Sequence, residues 1–182
     1  MSRRFTLRDP GVSMARTQTR VAEDEHGKRA SFEEIEVGTV LGEMDWVVTA
    51  EMIERQCEMD ADYHPWYFLD SPWGGRIAPP QISYRPPRWL LSRKYNIRGL
   101  FYKWEMENFR PIRPDVTLRI TASIVDKYVR KEREFIVYQA EAKNPEGEIV
   151  FRTRRTHVLD VLERSAERRG KGVDSGIKAE KL

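Results

Sequence analysis

The sequence predicts an α+β domain in which one curved antiparallel sheet buries a helix against its concave face. Three observations predict it. A lone strand-like run is followed by an amphipathic helical run, a second helical run is broken by prolines, and four strand-like runs then succeed one another toward the carboxyl end.

The elements follow in chain order. Residues 32–38 lead into Met44–Val48, an apolar stretch rich in β-formers that reads as the first strand. Thr49 stands where an N-cap belongs, Glu51 follows in the first turn, and Ile53 and Cys57 fall on one face of residues 50–60. A short amphipathic helix is expected there. From Asp60 to Pro80 the periodicity vanishes while aromatic residues, prolines and glycines accumulate, the signature of a long ordered loop, and such loops are often functional. Residues 81–95 are helical in composition at both ends, yet Pro86 and Pro87 remove two amide donors and clash with the preceding turn, which predicts a kink or a split. Strands are expected over Leu100–Met106, Val116–Val125, Phe135–Ala142 and Ile149–Val161, as a meander. In the second of these Val116, Leu118, Ile120, Ala122 and Ile124 alternate with polar residues, and residues 144–147 (Asn-Pro-Glu-Gly) form the turn between the last two.

A chain of 182 residues holds one ordinary domain and is too short for two full-sized ones. Residues 1–30 show no hydrophobic period and carry a charge of +3, and residues 162–182 carry +2, so with +3 overall residues 31–161 stand at −2. The reading is a flexible basic tail (1–30), a domain (31–161) and a flexible charged tail (162–182). The cations lie in the tails, which argues against a nucleic-acid-binding body. No apolar run approaches the roughly 20 residues of a membrane-spanning helix. The Arg-rich amino end has no apolar core and is broken by Pro10 and Gly11, so no secretory signal is read. A single cysteine, Cys57, excludes an internal disulfide and fits a reducing, cytoplasmic setting; it reads as a small buried hydrophobe. Three histidines far apart in sequence do not make a metal site, and there is neither a phosphate-cradling glycine loop nor a nucleophile elbow. No cofactor is expected.

The titratable residues with room for chemistry gather in the loop: Asp60, Asp62, His64, Tyr67 and Asp70, followed by Gly74 and Gly75. A carboxylate and an imidazole two residues apart can share a water, as general acid–base addition of water to a polarised double bond requires. Spacing alone favours a second reading, with Asp62 capping a turn and His64 packing half-buried.

The segments Ala-Asp-Tyr-His-Pro-Trp-Tyr (61–67), Gly-Gly-Arg-Ile-Ala-Pro-Pro (74–80) and Glu-Asn-Phe-Arg-Pro-Ile-Arg-Pro (107–114) resemble the MaoC-like (R)-specific hydratase/dehydratase family, over residues from Phe32 to about Asp160. The resemblance implies the hot-dog fold, a sheet wrapped around a central helix, and an acyl thioester of coenzyme A or a carrier protein as substrate. Catalytic members carry a Gly-Asp-any-Asn-Pro-any-His motif and an Ile-Ala-His-Gly run. Asp62 falls on the catalytic Asp and Pro65 on the motif proline, but His64 takes the Asn position, Tyr67 the catalytic His position, and Pro79-Pro80 replaces His-Gly. A phenol with an ordinary pKa of about 10 is a poorer base than an imidazole near 6.5. Pro80 has no N–H for an oxyanion, and losing one such donor typically costs ~100–1,000-fold in rate.

The tyrosine and the Ile-Ala-Pro-Pro run are similar to the amino-terminal, often non-catalytic, dehydratase domains and subunits of that superfamily, which pair with a catalytic partner and help to form its acyl tunnel. The resemblance therefore implies a hydratase or dehydratase with Asp62, His64 and Tyr67 as catalytic residues and Trp73, Gly75, Ile77, Ala78 and Pro79 about the thioester. The alternative is a non-catalytic subunit; a thioesterase is a third reading. The expected partner is a second hot-dog chain, as homodimer or heterodimer.

Other clusters keep two readings each. Trp66, Trp73, Trp89 and Trp104 can wall a pocket for a bulky acyl group, or pack a core or a dimer interface. Arg85, Arg88, Arg93 and Lys94 can attract the phosphates of coenzyme A, or form a solvated helix face. Arg152, Arg154 and Arg155 are expected in part on the exposed face of the last strand. His157 reads as structural.

Overall fold

A computed structural model describes residues 30–97 and 99–159. Apart from Ala30, the two expected tails lie outside the described residues. The order is β1 (Val40–Val47), α1 (Ala50–Asp60), α2 (Arg85–Lys94), β2 (Gly99–Asn108), β3 (Thr117–Arg130), β4 (Arg133–Lys143) and β5 (Ile149–Leu159), with 3-10 turns at Pro65–Tyr67 and Pro80–Tyr84.

All neighbouring strands are antiparallel, in the order β1-β3-β4-β5-β2. Only β3, β4 and β5 form the expected meander. The chain leaves β1, crosses the sheet through α1 and α2, and so delivers β2 to the opposite edge, beside β5. The alternation read in the sequence sets the inner face of β3: Leu118, Ile120, Ala122 and Ile124 are buried with Trp46, Tyr138 and Phe151 in one core, and Leu90 and Leu91 of α2 close it.

α1 begins as its sequence dictates, with the Thr49 hydroxyl accepting from the N–H of Met52 at 3.2 Å, and it buries Ile53 and Cys57. The proline pair acts differently from the expected mid-helix kink. Pro86 and Pro87 occupy the first turn of α2, where amide donors lack intrahelical acceptors in any case. The split falls before them, between the 3-10 turn Pro80–Tyr84 and α2.

Candidate functional site

The loop that leaves α1 builds the site. α1 closes on Ala61, which adopts a left-handed φ of 51°, and the N–H of Asp62 donates to the Cys57 carbonyl at 3.0 Å. Ala61 stands where the resembled motif has glycine, the residue that takes this conformation without strain. Asp62, half-buried, follows directly, and its Oδ1 accepts the N–H of His64 at 3.3 Å. His64 in turn accepts the N–H of Trp66 on Nδ1 at 3.3 Å and so caps the turn Pro65–Tyr67. The imidazole is exposed and stands edge-on to Trp66, with ring centroids 4.7 Å apart.

Tyr67 is the buried member of the trio. Burial pushes its hydroxyl pKa up, and the adjacent Asp62 carboxylate pushes it further, through charge and hydrogen bonding. Burial likewise raises the Cys57 thiol, with Asp62 adding to the effect and Arg76 opposing it. Cys57, Asp62, Tyr67 and Arg76 therefore share one neighbourhood. Arg76, which the sequence reading passed over, reaches from the glycine turn back to α1: it donates to the Ala50 carbonyl at 3.4 Å and lies 3.7 Å from Glu54. Arg76 lies inside the resembling segment 74–80, which was the available signal, but no feature of the sequence assigned it a role.

The structure thus brings Asp62 and Tyr67 together, a carboxyl group beside a phenol whose pKa is raised. Such a pair can hold a water between an acceptor and a donor. His64 commits Nδ1 to its cap and keeps Nε2 for other partners.

The residues expected about the thioester occupy the next segment. Gly74 and Gly75 have φ of 75° and 72°, and Ser71 ties the turn by donating its hydroxyl to the Gly75 carbonyl at 2.7 Å. Arg113, from the third resembling segment, donates to the Trp73 and Gly74 carbonyls and holds the turn from the other side. Trp73, Ile77 and Ala78 line a cleft of about 210 Å³ with Pro80 and residues 108–112; Asp62, His64 and Tyr67 are not part of its lining. Pro79 is buried. The backbone N–H of Ile77 donates to Trp66 at 3.0 Å and that of Ala78 to Ile112 at 2.8 Å. Pro79 and Pro80 have no N–H, so the stretch 77–80 has no uncommitted amide donor.

Elsewhere the clusters resolve. Trp104 is a packing residue that donates from Nε1 to Thr153 at 2.8 Å, whereas Trp89 lines a cavity described below. Arg88 donates to Ser92 at 2.5 Å. Arg154 is exposed as expected for the outer face, but Arg155 has 0% exposure. It lies on the concave face beside Trp104 and Tyr84, whose rings cover its guanidinium at 5.3 and 5.0 Å. His157 is buried on the same face, and desolvation, aided by Arg88 and Arg155, lowers its pKa to about 3. It is a neutral core histidine. Among the described residues no three His, Cys, Asp or Glu side chains converge as metal ligands, and no helix is long and apolar enough to cross a membrane.

No family model and no curated protein matches the chain. Solved structures do match it. A MaoC-like dehydratase from Rhodospirillum rubrum is 20% identical with a TM-score of 0.59, covering 70% of this chain and 94% of its own. The R-hydratase PhaJ1 from Pseudomonas aeruginosa is 13% identical with a TM-score of 0.59, covering 70% and 84%. The HadBC complex of Mycobacterium tuberculosis, a 3R-hydroxyacyl-ACP dehydratase, contains a chain 16% identical with a TM-score of 0.52, covering 67% and 99%. Five antiparallel strands curled about α2 make this a hot-dog protein. Its fold is the one shared by MaoC-like dehydratases and (R)-hydratases.

Proposed function

We propose that this chain works in the reversible hydration of 2-enoyl thioesters and dehydration of 3-hydroxyacyl thioesters, on coenzyme A or a carrier protein. The observation that carries the reading is the half-buried Asp62 carboxylate set beside the Tyr67 hydroxyl on a hot-dog scaffold. Asp62 accepts a hydrogen bond from the water and draws off its proton as the oxygen adds to C3; that proton then passes to C2, and dehydration runs the same path backwards. Tyr67, kept protonated by its surroundings, orients the water as a donor. His64 assists through Nε2. The free, buried Cys57 is in keeping with work in the cytoplasm.

A specific observation favours a second reading. Between Ile77 and Pro80 every amide is engaged or absent, so the polarising donor for the thioester carbonyl has to come from elsewhere. A catalytic hot-dog partner would supply it, and this chain would then help to shape the acyl tunnel of a heterodimer. Trp73, Gly75, Ile77, Ala78 and Pro79 would form the tunnel wall in either case.

Hydration of short, long and aromatic enoyl-CoA thioesters, followed by loss of the enoyl absorbance, tests both. For the first reading the purified full chain is active and Asp62→Asn reduces the rate at least a hundredfold. Activity that survives Asp62→Asn overturns the role of the carboxylate. Activity seen only with an added hot-dog partner establishes the second reading, and release of free thiol replaces both with a thioesterase.

A further inference from the structure

α1 has two apolar faces. Ile53 and Cys57 pack into the core, whereas Met52, Arg55 and Met59 recur at helical spacing on a second side, with Met52 partly buried and Met59 exposed. This side bounds a slot of about 290 Å³ between α1, α2 and the edge strand β1. Met44 and Trp46 of β1 and Trp89 of α2 complete the apolar walls. A slot of this size sits at the lower end of the range for ligand pockets and holds one small molecule. Two indoles give it rigid surfaces and three thioethers give it adaptable ones.

Four charged residues also line it, and two of them are already accounted for. Asp45 is paired with Arg119 at 3.3 Å, and Glu51 sits in the first turn of α1, where the positive end of the helix favours it. Arg55 and Arg85 have no ion-pair partner among the described residues. The slot thus joins an apolar body to two guanidinium groups that have no ion-pair partner among the described residues, the donor type that best matches a carboxylate.

We propose that the slot between α1, α2 and β1 is a second binding site, for a small amphiphile with one apolar body and one carboxylate. The assignment stands apart from the thioester chemistry, since Asp62 and Tyr67 do not line the slot.

The six methionines provide the readout. The full chain is prepared with carbon-13 methionine methyl groups and titrated with decanoate, then with decan-1-ol as the uncharged control. Met44, Met52 and Met59 are expected to shift saturably, while Met106, held against Ser83 at 3.4 Å outside the slot, stays in place. The double variant Arg55→Gln/Arg85→Gln, which changes exposed side chains only, is expected to weaken decanoate at least tenfold and decan-1-ol less than twofold. The site is overturned by the absence of a saturable shift, by a parallel shift at Met106, or by undiminished decanoate binding in the double variant. Weaker binding in Asp62→Asn would place the ligand at the other site and overturn it too.

Discussion

Arg155 of β5 donates through Nη2 to the Ser83 carbonyl at 3.2 Å, the acceptor that Pro87, having no N–H, cannot serve four residues on. Its Nη1 donates to the neighbouring Tyr84 carbonyl and its Nε to the Thr153 hydroxyl. A buried cation is costly without a carboxylate partner, and Arg155 has none among the described residues; carbonyl dipoles and the faces of Tyr84 and Trp104 stand in for one. The sheet thereby supplies a hydrogen bond that the central helix, given its prolines, lacks. The same contact lies at the junction between the 3-10 turn Pro80–Tyr84 and the start of α2.

Arg155→Met should therefore destabilise the domain by about 1–3 kcal/mol, because it leaves the buried Ser83 carbonyl without a donor. Restoring an amide with Pro87→Ala should help only in that background, recovering roughly 1 kcal/mol. Urea denaturation of the four members of this cycle measures the coupling. Strict additivity would show that the two residues do not act on one carbonyl.

Ala61 holds the left-handed position at the end of α1 with φ 51° and aims the chain at Asp62. A side chain there costs about 1–2 kcal/mol, part of which glycine forfeits through its freer unfolded chain. Ala61→Gly should then raise stability by roughly 0.5–1 kcal/mol in thermal or urea unfolding, with the site unaltered. A loss of stability would mean that the local turn is not under strain.

His157 provides a pH test. Its folded pKa of about 3 lies below the ordinary 6.5, so the unfolded chain binds the extra proton first as the pH falls. Stability should be fully present above pH ~6.5 and decline below it, by up to ~1.4 kcal/mol per pH unit from this group, until the pH nears its folded pKa. His157→Phe, which keeps an aromatic ring beside Phe101 and Tyr138, should flatten that decline between pH 7 and 5 in urea midpoints.

Much of this architecture was legible in the chain because local rules set it. Thr49, the spacing of Ile53 and Cys57, and the alternation of Leu118 to Ile124 each point to the element that forms. The misplacements have long-range causes. Pro86 and Pro87 read as a mid-helix break because the donor that serves Ser83 comes from a residue 72 positions away. Arg152, Arg154 and Arg155 are expected only in part on the exposed face, and period 2, which sets Arg155 opposite Arg154, assigns a face but not the full burial found. β3 and β4 run on to Arg130 and Arg133 through a turn in which Lys131 and Glu132 both have positive φ, a turn without the glycine or asparagine that would announce it. At the site, the pairing of Asp62 with Tyr67 was not readable from residue spacing. It depends on the left-handed turn at Ala61 and on His64 folding back to cap the segment between them.

That pairing makes a prediction for the site itself. The Tyr67 pKa is raised first by burial and next by the Asp62 carboxylate, so Asp62→Asn should remove the second contribution and bring the phenol down toward its ordinary value of about 10. A carbon-13 titration of the tyrosine ring resolves this without any activity assay. An unchanged Tyr67 titration would separate the two side chains and leave Asp62 without its partner. In the hydration assay the same geometry ranks the variants: Tyr67→Phe, which loses the buried donor beside the carboxylate, should cost more than His64→Ala. The latter mainly loses a turn cap worth about 1 kcal/mol of stability. The reverse order would move the proton chemistry from the phenol to the imidazole.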